Sequence, residues 1–147
     1  MEWNRALAIA LLGTTNLACA STVPVVRNIG GAPDYSVSFV SADPEPGSVV
    51  TPGQTVSLTI TVKYFLQARS TGRVFLIFEN EANHVVDPQH HQASQDVGKG
   101  SGQVTVSDSI TLPTNLRELH VFVPLVPDGM THTSGELMLI YRARRPT

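Results

Sequence analysis

A chain of 147 residues, 41% hydrophobic and 15% charged, has the length of one domain and enough apolar mass for a core. Its formal net charge of −2 excludes the strong positive field on which nucleic-acid or anionic-lipid binding relies. A single cysteine, Cys19, excludes an intrachain disulfide.

The N-terminus reads as an export signal. Arg5 precedes the apolar run Ala6-Leu7-Ala8-Ile9-Ala10-Leu11-Leu12, which is too short to cross a bilayer of about 30 Å as a helix. Ala18-Cys19-Ala20 then fits cleavage after Ala20, making residues 1–20 a signal peptide. Leu17-Ala18-Cys19 also resembles the end of a bacterial lipobox, with Asn16 where an aliphatic residue is usual. Two fates therefore fit this end: lipidation at Cys19, which would anchor the protein, or release without it.

Residues 21–34 read as a linker or irregular lead-in, extended by Pro24 and loosened by Gly30-Gly31. The domain itself is expected over residues 35–147. Tyr35-Ser36-Val37-Ser38-Phe39-Val40 alternates and predicts a first strand. Pro44-Glu45-Pro46-Gly47 ends it. Thr51-Pro52-Gly53-Gln54 carries type II turn chemistry, with Pro presetting φ and Gly accepting a positive one. Val56, Leu58, Ile60, Val62 and Tyr64 then alternate with Thr55, Ser57, Thr59, Thr61 and Lys63. Period two puts the apolar row on one face and the hydroxyls on the other, and β-branching suits a strand.

Residues 68–72 are expected to turn the chain before Val74-Phe75-Leu76-Ile77-Phe78, an apolar run covered on both faces or part of an interface. Residues 79–102 are polar and turn-rich, with short edge strands expected near residues 84–86 and 93–97. Gly98-Lys99-Gly100-Ser101-Gly102 reads as a flexible loop. It is no phosphate loop, because Ala93 stands where the first glycine of G-x-x-x-x-G-K belongs and Gly100 replaces the Ser/Thr.

Residues 104–112 alternate again, with Asp108 in the apolar phase, which predicts a bulge or bend. Two strands apolar in both phases follow, near residues 118–126 and 136–143, separated by Pro127-Asp128-Gly129. Arg142, Arg144 and Arg145 read as a solvated strand end. No helical periodicity and no internal repeat occur after the signal. About seven strands at this spacing predict an all-β, antiparallel sandwich.

Residues 35–40, 55–65 and 104–112, each with a Ser/Thr-rich face, are assigned to one sheet, and residues 74–78, 118–126 and 136–143 to the other. In the second, Leu119, Val121, Val123, Leu125, Leu137, Leu139 and Tyr141 are expected inward. Phe75, Ile77, His120, Phe122, Met138 and Ile140 then form an outward apolar patch. A patch of several hundred Å² marks an interaction surface. The alternative is that residues 23–29 lie across it.

Gly47-Ser48-Val49-Val50-Thr51-Pro52-Gly53-Gln54-Thr55-Val56-Ser57-Leu58 resembles the start of bacterial immunoglobulin-like and fibronectin type III-like domains of the cell-adhesion-related kind. The resemblance extends over residues 35–143. It implies an immunoglobulin-like β-sandwich serving as an exported binding module, and it carries over no catalytic residue or cofactor.

No G-x-S-x-G elbow and no H-E-x-x-H is present, so the chain reads as a non-enzyme without cofactor. His84, Asp87, His90 and His91 gather imidazoles and a carboxylate in one loop, with His120 and His132 within conceivable reach. Such ligands suit zinc or copper(II). The leading expectation is a non-catalytic module of the cell envelope or secreted space, binding a protein, a glycan or a second copy of itself. The alternative is a periplasmic metal-binding protein using residues 84–91.

Overall fold

Pro52 and Gly53 start the chain's principal strand as their chemistry requires. Gly53 sits at φ 79°, and Gln54 N–H donates to the Thr51 carbonyl at 3.2 Å, closing the turn. The computed structural model describes residues 25–131, 133 and 135–144. The signal-like segment, Cys19 and His132 lie outside the described residues.

The described residues form eight strands: β1 (Val26–Ile29), β2 (Tyr35–Asp43), β3 (Val49–Val50), β4 (Thr55–Phe75), β5 (Ile77–Asn80), β6 (Ser94–Thr111), β7 (Glu118–Pro127) and β8 (Glu136–Ala143). The fold is all-β and sandwich-like, antiparallel throughout except where β3 runs parallel to β8. One wall is β2-β4-β6, the grouping expected for the alternating strands. The other is β5-β7-β8, with β1 and β3 sharing the far edge of β8. The walls join at a corner where Gly72, Arg73 and Val74 of β4 pair with Pro127, Val126 and Leu125 of β7, which makes the sandwich nearly a barrel.

That corner replaces the turn expected at residues 68–72. β4 runs through it, with a register shift against β6 between Leu66 and Thr71 absorbing the bend. The glycine-rich stretch from Gly98 to Gly102 is likewise strand, paired with β4 on either side of that register shift, at Gly98 and again from Gly100 to Gly102. At Gly102 an added Cβ would fall 2.8 Å from the Tyr64 ring, so glycine leaves room for that ring where it stands. Residues 26–29, read as irregular, form β1. That strand extends the sheet at the edge of β8.

The core lies between the walls. Leu58, Ile60, Val62, Val106 and Ile110 come from one side, and Leu119, Val121, Val123, Leu125, Leu137, Leu139 and Tyr141 from the other, all in the expected phase. Each large side chain buried there contributes about 1.5–3 kcal/mol before entropy is counted. Of the two rows at residues 74–78, Val74, Leu76 and Phe78 point inward, leaving Phe75 and Ile77 on the outer side. Tyr141 reaches across the core end and donates its hydroxyl to the Pro44 carbonyl at 2.9 Å. Burial pushes that phenol well above its ordinary value.

Asp108 causes no bulge. Its register with Leu58 is unbroken, because the carboxylate finds partners at the sheet edge. His90 Nε2 lies 2.8 Å from Oδ2, and Ala93 N–H donates to the same oxygen at 3.1 Å. A partly buried carboxylate that is hydrogen-bonded leaves the strand no reason to bend.

Candidate functional site

The outer face of the β5-β7-β8 wall is built by strands apolar in both phases. Register sets Ile77 beside Phe122 and Phe122 beside Met138, with Arg27 of β1 next in the same row. These residues, with Ile29, Glu79, Glu81, Asn83, His120 and Glu136, line a shallow groove of about 630 Å³. Ile29, Ile77, Phe122 and Met138 form its apolar floor, and three carboxylates stand around it together with Arg27 and His120.

The groove is electrostatically uneven. Partial burial raises the Glu79 carboxyl above the usual carboxylate range, and the charge of Glu136 adds to this. Partial burial raises Glu136 as well. Glu81 is held below its ordinary value, first by a backbone hydrogen bond of its own residue. His120 is bonded through Nε2 to Glu118 Oε2 at 3.1 Å, while its buried Nδ1 has no hydrogen-bond partner among the described residues.

Of the six residues expected to make the outward patch, Ile77, His120, Phe122 and Met138 come together in this groove. Ile140 is on the same face but does not line it. Phe75 stands apart, with the Arg73 guanidinium 6.0 Å from its ring centre and Arg73 itself bonded to Asp96. The broad exposed patch is corrected to a narrower groove. Met138 and Ile140 are only 7% exposed and His120 9%, so Phe122 and Ile77 supply the accessible apolar surface. The rim was not read from the sequence, because Glu79, Glu81 and Glu136 come from separate segments that only strand pairing unites.

The histidine-bearing loop does not assemble as a metal site. Among the described residues no three His, Cys, Asp or Glu side chains are placed to hold an ion. Asp87 caps its own turn, accepting from Gln89 N–H at 2.9 Å, and His90 is turned to Asp108, while His84 and His91 are exposed. The loop covers a small cavity of about 230 Å³ lined by Phe78, Val85, Asp87, Pro88, His90, Gln92 and Ile110. The His90–Asp108 pair beside it resembles part of a catalytic relay, but the lining holds no hydroxyl, thiol or amine to activate.

No model of a known protein family matches the chain, and a search of the curated proteins returns no match.

Proposed function

We propose that this is a non-catalytic binding module whose recognition face is the groove over β5, β7 and β8. The observation that carries the reading is the pairing of an apolar floor with a carboxylate rim. Apolar surface rewards burial, and carboxylates kept partly out of water favour a cation that restores their ionised form. The partner that fits is a peptide segment alternating apolar and basic side chains. Export to the cell envelope or beyond, with or without lipidation at Cys19, belongs to the same proposal and rests on residues 1–20. So does kinship with bacterial immunoglobulin-like domains, which rests on the Pro52-Gly53 turn and the alternation after it.

Phe122→Ala removes the aromatic side chain from the floor without adding charge or touching the core row. With a labelled Lys-Leu-Lys-Leu-Lys-Leu peptide as probe, fluorescence polarisation should show at least about tenfold weaker binding, the equivalent of about 1.4 kcal/mol. Equal binding by the variant and the parent would remove the groove from consideration.

A further inference from the structure

The opposite wall carries a second and independent arrangement. Along the outer face of β4 and β6, hydroxyls pair across the strands: Thr55 with Thr111 at 2.9 Å, Ser57 with Ser109 at 2.7 Å, Thr59 with Ser107 at 2.9 Å, and Thr61 with Thr105 at 2.8 Å. Each satisfies its partner, so this ladder is closed to a ligand that would need those bonds.

The pattern then stops. In the next row Lys63 stands between Ser38 of β2 and Gln103 of β6, and in the row after that Phe65 stands between Ser36 and Ser101. None of the five polar side chains has a hydrogen-bond or ion-pair partner among the described residues. These six residues, with Tyr64 and Gly102, line a shallow space of about 530 Å³.

Strand geometry fixes the footprint. Neighbouring strands lie roughly 4.8 Å apart and successive same-face rows roughly 6.8 Å apart, so the six side chains cover roughly 10 by 7 Å. That is the area of one or two sugar rings. A half-buried phenyl offers an apolar face to the C–H face of a pyranose. Serine hydroxyls and a glutamine amide around it can both donate and accept, as sugar hydroxyls require. Lys63 adds one exposed cation with no carboxylate bound to it among the described residues.

We propose that this grid is a saccharide-binding site, with Phe65 as the stacking platform and Lys63 as the partner of a sugar carboxylate. The ligand class is a uronate-containing oligosaccharide. Tyr64, next to Phe65 in the strand, packs against the core, and its ring lies so close to Gly102 that an added Cβ would have to displace it.

Isothermal titration of the full-length protein with tetragalacturonate and with neutral galactotetraose separates the contributions. The uronate should bind more tightly than the neutral sugar. Phe65→Ala should weaken both by roughly tenfold, as the loss of an aromatic contact predicts, while Phe65→Tyr keeps the ring and retains binding. Lys63→Gln should weaken the uronate alone, by about five- to tenfold. Lys99→Gln, an equally exposed lysine off the grid, should change neither. Absence of binding by both sugars would overturn the proposal. So would full binding by Phe65→Ala, or an equal effect of Lys99→Gln, which would mark simple charge attraction.

Discussion

Asp108 shows how one residue's partner decides local backbone. Its carboxylate sits in the inward phase of β6, between Val106 and Ile110, and would be costly there unbonded. His90, carried in by the loop that follows β5, and the Ala93 amide satisfy it. Removing the imidazole by His90→Ala leaves the amide bond and should cost about 1–3 kcal/mol in urea unfolding. An unchanged midpoint would mean that the pair contributes nothing. Gly102 is a second such position. Gly102→Ala must push aside the Tyr64 ring, and overpacking of this kind costs about 1–3 kcal/mol by the same measurement. Neither role was legible in the sequence, since Asp108 and His90 are far apart in the chain and Gly102 reads as one of several loop glycines.

At the scale of the element, alternation carried most of the information. β2, the first half of β4 and the second half of β6 have one buried face and one solvated face, so their phase is written in the order of their residues. β7 and β8 are apolar in both phases, and their inward rows were still legible because branched and long aliphatic residues occupy them in step. What alternation could not show is where β4 and β6 continue. From Gln67 to Arg73 the side chains are mostly polar and exposed, and the strand persists there because partners come from elsewhere: the Asp34 carbonyl accepts from the Gln67 and Ala68 amides, and β6 and β7 pair with the residues from Thr71 on. β1 is short, and among the described residues its sheet partner is the edge of β8, more than a hundred residues on. The turn that starts β4 is the opposite case, fully local. Gly53→Ala would force an L-residue to φ 79° and bring its Cβ to 3.3 Å from Thr114, so a loss of about 1 kcal/mol or more is expected in thermal unfolding.

Over the whole molecule, the two outer faces differ in kind. The β2-β4-β6 wall is polar and largely self-bonded, whereas the β5-β7-β8 wall presents apolar surface inside a carboxylate rim. Because the native state raises the Glu79 and Glu136 carboxyls above their unfolded values, it holds protons more tightly than the unfolded chain does. Their ionisation therefore opposes folding above the raised values, and that opposition fades as pH falls through them. Glu79→Gln should raise the melting temperature at neutral pH, with the gain vanishing below the ordinary carboxylate range. A gain that persists in acid would contradict this origin. Binding of a cationic partner runs the other way, strongest where both carboxylates are charged and lost as they protonate.

The groove itself can be located directly by titrating the isotope-labelled protein with the Lys-Leu-Lys-Leu-Lys-Leu peptide and following backbone amide resonances. The account predicts that shifts concentrate at Ile77, Glu79, His120, Phe122, Glu136 and Met138, and that they weaken with added salt. Shifts confined to the β2-β4-β6 wall, or none at saturating peptide, would contradict it.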